Sequence, residues 1–166
     1  MFPSSGLSLS RLKKLWIQGL KQMQSHERIL DRLHLENGLE VYFIDQSSPP
    51  VVGRCQVRLL VRVPVEPAEE HFGKYPNPSA AYHQFISLVG SDPLEFRAVK
   101  IRNFIDRKDV GKTLEEMKDD FIRSSLLYLK KPGFAANFVT RKHEEILAGA
   151  AARSARDRAL RDAERQ

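Results

Sequence analysis

Cysteine is nearly absent: Cys55 stands alone in 166 residues, so no disulfide scaffold can hold this chain together. Long apolar runs are missing as well. The longest stretch without a polar residue covers 146–152, far short of the ~20 residues that a membrane-spanning helix needs. The nine glycines are dispersed and form neither G-x-G-x-x-G nor G-x-x-x-x-G-K-[ST], so no phosphate-cradling loop of a recognised kind is encoded. His26, His34, His71, His83 and His143 never fall four apart, the spacing at which one helix face presents two imidazoles to a metal. His143-Glu144-Glu145 begins like a zinc-protease motif but lacks its second histidine. No serine sits in a G-x-S-x-G elbow. Cys55 falls on the apolar side of a strand-like alternation, where a free thiol acts as a small hydrophobe. These absences set the expectation of no catalytic residue, no metal and no cofactor, in a chain that leans away from being an enzyme.

What is present is globular in proportion. Hydrophobic residues make up 42% and charged residues 29%, values that suit one domain or one domain with extensions. The net charge of +6 points at first to nucleic acid. Its distribution argues otherwise. Residues 1–26 carry Arg11, Lys13, Lys14 and Lys21 with no acid, and residues 150–166 carry five arginines against three acids. Residues 27–149 hold eighteen bases and eighteen acids. The excess belongs entirely to the two ends.

The first end reads as a basic amphipathic helix over about 8–25. Leu9, Leu12, Trp16, Leu20 and Met23 recur at steps of three and four and make one apolar stripe. Arg11, Lys14 and Lys21 fall opposite, and Lys13 lies at the stripe's edge. Asn37-Gly38, set between alternating segments 29–36 and 39–46, predicts a β-hairpin closed by a type I′ turn, whose two central residues need positive φ. Pro49-Pro50 ends the second strand. In a third strand, 53–65, Cys55, Val57, Leu59, Val61, Val63 and Val65 alternate with Gln56, Arg58, Leu60 and Arg62, which predicts one buried face and one largely wet face.

Asn77, Pro78 and Gly90 frame a helix over 78–89. Ser91-Asp92-Pro93 turns into a fourth strand, 94–105, whose alternation slips near Ala98–Val99, as at a bulge or in a strand buried on both faces. Thr113 and Glu116 match a capping box that opens a helix, and Pro132-Gly133 stops it. The last helix starts near Phe134 and runs through an Ala/Arg-rich tail to about 164. The fold expected is α+β: an antiparallel meander of about four strands with helices packed on one face, plus N- and C-terminal helical extensions. The corresponding segments are 1–27, 28–149 and 150–166.

Arg28-x-x-x-Arg32 followed by Asp45-x-Ser47 resembles the paired signature of PilZ domains, which bind cyclic di-GMP through R-x-x-x-R and [D/N]-x-S-x-x-G. The resemblance covers 28–50. Pro50 stands where the glycine belongs, the gap between the halves is short, and that barrel needs more strands than are visible here. It is not adopted.

Two sets of residues carry the functional expectations. The stripe of Leu9, Leu12, Trp16, Leu20 and Met23, with Lys13 beside it, suits a helix that packs on its own domain, docks on a protein partner or joins two copies of the chain. A mitochondrial-type targeting role matches less well, because lysine rather than arginine dominates, and so does a membrane-surface anchor, because a stripe of Leu, Trp and Met can pack on its own domain. Arg58 and Arg62, with Arg97 and Arg102 or Lys100 on the next strand, would form an anion-binding patch if those strands pair. RNA-binding sheets add exposed aromatics, and here only Tyr42 is near. The expectation is a cytoplasmic, non-enzymatic binding or adaptor domain that associates with a protein partner or its own copy through its terminal helices. A nucleic-acid or nucleotide-binding module on the basic sheet face is the alternative.

Overall fold

The computed structural model describes residues 27–90 and 94–163. The expected N-terminal helix and the turn at Ser91-Asp92-Pro93 lie outside the described residues. Four strands, β1 (Arg28–His34), β2 (Glu40–Asp45), β3 (Arg54–Pro64) and β4 (Glu95–Asp106), are joined by helices α1 (Pro78–Val89), α2 (Val110–Leu129) and α3 (Phe134–Ala163). The sheet order β1-β2-β3-β4 is an antiparallel meander, so the fold is α+β as the patterning indicates. Two compact units form. One takes in 27–34, 40–63 and 97–124; the other takes in 35–39, 64–90, 94–96 and 125–163.

In the first unit the sheet buries Val41 and Phe43 of β2 with Cys55, Val57, Leu59, Val61 and Val63 of β3. Helix α2 lies on this side. Phe121 meets Phe43 edge to face with ring centroids 5.9 Å apart, and Leu114 and Met117 are buried at helical spacing from it. Ion pairs join α2 to both edge strands. Lys118 Nζ donates to Asp31 of β1 at 3.2 Å and to Glu115 at 2.7 Å. Arg102 of β4 reaches Glu116 at 3.1 Å and Asp120 at 3.5 Å. A β-bulge between Ile29 and Asp31 shifts the β1 register and aims Asp31 at the helix. The Arg32 backbone N–H, and then the Lys118 ammonium, hold the Asp31 carboxyl below the usual carboxylate range.

The hairpin turns depart from expectation. At Asn37-Gly38 only Gly38 has positive φ, 83°. Gly38 N–H donates to Leu35 O at 3.0 Å and Leu35 N–H to Leu39 O at 2.8 Å. That is a type I turn followed by a left-handed glycine, not the two-residue type I′ turn. Asn37 supplies the reason: its side-chain amide donates to the carbonyls of Leu129 at 2.7 Å and Lys131 at 3.1 Å, satisfying carbonyls at the end of α2. The type I′ turn occurs instead at Val52-Gly53. Their φ values are 52° and 74°, and Val51 and Arg54 exchange backbone bonds of 2.8 and 3.0 Å.

Two other expectations are corrected. Helix α2 begins at Val110, ahead of Thr113, because a 3-10 turn at Arg107–Asp109 runs straight into it; Thr113 is buried inside the helix and does not cap it. Exposure along β4 alternates regularly from Arg97 to Ile101, so the irregularity expected at Ala98–Val99 falls instead at Phe104, with φ 60°. Helix α1 keeps its expected frame, with Asn77 Oδ1 accepting from the Ala80 N–H at 3.0 Å and Gly90 leaving at φ 68°.

The second unit is built on rings. Phe72, Tyr75, Phe85 and His143 pack with centroids 5.5 to 5.7 Å apart. Phe134 stacks on Phe138 and meets Phe96 and Tyr128 edge to face.

Two substitutions check the turn assignments by urea denaturation. Asn37→Ala removes the amide that bonds the Leu129 carbonyl at the end of α2, while Lys131 O keeps the Phe134 N–H, and lowers stability by about 1–2 kcal/mol. Val52→Asn raises stability by about 1 kcal/mol, because asparagine enters the left-handed region more readily than a β-branched residue. A destabilised Val52→Asn protein would contradict the type I′ assignment.

Candidate interaction face

The other side of the sheet holds the face expected to be largely wet, and its centre is dry. Directly opposed residues share a face. Ile29 stands opposite Ile44, Ile44 opposite Leu60, and Tyr42 between Arg32 and Arg62. Gln56 Nε2 donates to Asn103 of β4 at 2.9 Å, which puts Asn103 on this side, and Ile101, Val99 and Arg97 with it by alternation. Apolar side chains therefore cross all four strands. In the middle, Tyr42, Ile44 and Leu60 are 6%, 0% and 1% exposed and form a cluster of their own. At the two edges, Ile29, Val99 and Ile101 are 46%, 43% and 47% exposed.

Polar groups rim the cluster. The Tyr42 hydroxyl donates to the Glu40 carboxylate, and burial, reinforced by that carboxylate, raises the phenol's pKa. Gln46 links two charged residues: its amide N–H donates to Glu27 and its carbonyl accepts from Arg58 Nε at 3.1 Å. Of the four arginines expected to make one anion patch, Arg58, Arg62 and Arg97 share this face. Arg102 does not, because alternation along β4 turns it toward α2, where Glu116 and Asp120 neutralise it. Arg58 is bonded to Gln46, and Arg62 and Arg97 also have partners. Arg28 Nη2 lies 3.7 Å from Asp45, so one residue of each half of the PilZ-like pattern pairs with the other. Leu9, Leu12, Lys13, Trp16, Leu20 and Met23 lie outside the described residues.

Elsewhere the chemistry is quiet. A shallow groove of about 290 Å³ is lined by Arg102, Glu116, Asp119, Asp120 and Arg123, whose opposed charges largely cancel. Among the described residues no three His, Cys, Asp or Glu side chains converge as metal ligands, and no helix is long and apolar enough to cross a membrane. Cys55 is buried. His143, which its sequence context leaves as an ordinary helical residue, is 1% exposed with Nδ1 3.2 Å from the Tyr75 hydroxyl. Its Nε2 is buried without a partner, enclosed by Phe72, Tyr75 and Phe85. The second half of α3 is the opposite case: every residue from 151 to 163 is exposed.

Compared with protein-family models, curated proteins and solved structures, the chain matches none of them. The functional reading therefore rests on its own geometry.

The buried imidazole sets a pH dependence. Burial pushes the His143 pKa down, opposed by the Glu144 charge, and burial does the same to His71 against Glu70. Above the ordinary histidine value of about 6.5 both states are neutral. Below it the unfolded chain takes up protons that the folded chain resists, so stability falls with falling pH. Urea midpoints should drop between about pH 7 and pH 5, and the drop should shrink in the His143→Phe/Tyr75→Phe double variant. An unchanged acid slope in that variant would show that other groups set it.

Proposed function

We propose that the protein is a non-enzymatic binding or adaptor module that associates with a protein partner or a second copy through its terminal helical segments. The observation that supports this most directly is the end of α3, a continuous helix exposed on every side over 151–163. Isolated helices of this length are marginal in water. Here the first half of the same helix is anchored by buried Phe134, Val139 and His143 and supplies the nucleus. A partner therefore meets a segment whose ordering entropy is already lost, which lowers the cost of binding. Its surface is arginine-rich, with Arg153, Arg156, Arg158 and Arg161 interspersed with Asp157 and Asp162, and only Leu160 and a narrow alanine stripe are apolar. The basic-face reading has less support, since Arg102 points away and the other three arginines are engaged.

A chain ending at residue 149 tests the proposal. It should keep its urea stability to within about 0.5 kcal/mol, as surface changes do, yet lose the self-association seen by light scattering or the partner retained by the full chain on an affinity column. Unchanged association would overturn the reading. A large loss of stability would assign the end of α3 to the fold instead.

A further inference from the structure

Among the described residues only two that are not glycine have positive φ, Val52 at 52° and Phe104 at 60°. The same two are the most exposed large apolar side chains among those residues, at 96% and 81%. Each property costs free energy. A β-branched or bulky side chain is strained in the left-handed region, and an apolar one left in water forgoes burial. Strain of this kind persists where the surroundings fix it, and it concentrates at functional sites. Both residues lie at one end of the sheet. Arg54 Nη1 donates to the Phe104 carbonyl at 3.3 Å, and the Arg107 N–H donates to the Gly53 carbonyl at 3.3 Å. The turn before β3 is thereby tied to the end of β4. Val51 adds a third exposed apolar side chain, and Pro49 and Pro50 beside it are exposed too.

We propose that this tip is a contact site for an anionic lipid surface, which Val51, Val52 and Phe104 enter to the depth of the interface. Two observations favour lipid over an apolar pocket on a protein. The first is the backbone. Val51 and Arg54 exchange N–H···O bonds of 2.8 and 3.0 Å, and the carbonyls of Gly53 and Phe104 are held by Arg107 and Arg54. Hydrocarbon offers no donor or acceptor to exposed backbone, whereas a protein pocket supplies both, so a tip paired within itself suits lipid. The second is the charge behind the tip. Arg54 and Asp106 pair at 3.1 Å. Arg107 and Lys108, next in the chain, are exposed and make no ion pair with a described residue, which leaves them against Asp109 alone. Apolar side chains in front with cations behind hold a segment at a membrane interface. Such a contact needs no spanning helix, and it is independent of the role given to α3.

Co-sedimentation of the full-length chain with lipid vesicles tests this. The chain should bind vesicles of phosphatidylcholine mixed with phosphatidylserine more tightly than phosphatidylcholine alone. Val52→Asn should weaken that binding about tenfold while its urea midpoint rises, because asparagine relieves the strain and removes the apolar side chain. Phe104→Asn should behave in the same way. Arg107→Gln/Lys108→Gln should weaken binding to the mixed vesicles by about fivefold or more. Leu127→Asn, at an exposed apolar position near the far end of α2, should leave binding unchanged. A full-length chain that stays in the supernatant would overturn the proposal and turn attention to a protein pocket as the tip's counterpart. Equal binding to both vesicle types would overturn it as well. So would binding that Val52→Asn and Phe104→Asn leave intact, since the contact would then lie elsewhere in the chain.

Discussion

Val41, Tyr42, Phe43 and Ile44 on β2, and Leu59, Leu60 and Val61 on β3, are buried in unbroken succession. Successive side chains of a strand point to opposite faces, so these two strands must be shielded on both. That requirement shapes the whole sheet unit. Helix α2 meets it on one side. On the other, burial of Tyr42, Ile44 and Leu60 is worth about 1.5–3 kcal/mol per large apolar side chain, against a total stability of about 5–15 kcal/mol for a domain. Opening that face to water would remove a large part of the margin. Burial of Tyr42, Ile44 and Leu60 on the second face is therefore part of what keeps the sheet folded.

On the first face, packing and charge fix α2 in different ways. The Phe43–Phe121 contact is apolar and sets the distance between layers. Lys118–Asp31 at one edge and Arg102–Glu116/Asp120 at the other set the helix's position across the strands. Each exposed pair contributes little alone. Lys118 is the exception in kind, because it is half-buried and bonded to two carboxylates, and removing it would leave both without their cation. The bulge in β1 belongs to the same arrangement, since it turns Asp31 toward the helix. These pairs neutralise part of the balanced charge of the middle of the chain within the fold.

Much of this architecture was legible in sequence, and the failures have identifiable causes. The caps of α1 are local chemistry at Asn77, Pro78 and Gly90, and local chemistry survives folding intact. Asn37-Gly38 marked a hairpin correctly but not its turn type, because a bond to carbonyls more than ninety residues away claimed the asparagine. No local rule would put valine in a type I′ turn, yet Val52 is there, in a turn closed by the backbone bonds between Val51 and Arg54. The dry face was missed because Leu60 sits between Arg58 and Arg62 and looks like an exception to a polar alternation. The signal was in both central strands taken together, since runs such as Val41–Ile44 and Leu59–Val61 break the period of two and mean burial on both sides. His143 was invisible for a different reason: its burial depends on Phe72, Tyr75 and Phe85, which only the tertiary structure brings around it.

The +6 charge finally separates into two unlike ends. In sequence, the N-terminal segment sets its cations among large apolar residues such as Trp16, Leu9, Leu12 and Leu20, whereas the exposed part of α3 offers alanines and one leucine, Leu160. Apolar area decides what each can do. A stripe with a tryptophan and three leucines is costly to leave in water and gains by burial. A stripe of alanines gains little, so any affinity of the α3 end must come from its arginines and aspartates in water, where interactions beyond about 8–10 Å are screened at ordinary ionic strength. A contact made by that end should weaken with salt, while one made through large apolar side chains should not. The two basic ends thus share a sign of charge but not a mode of contact.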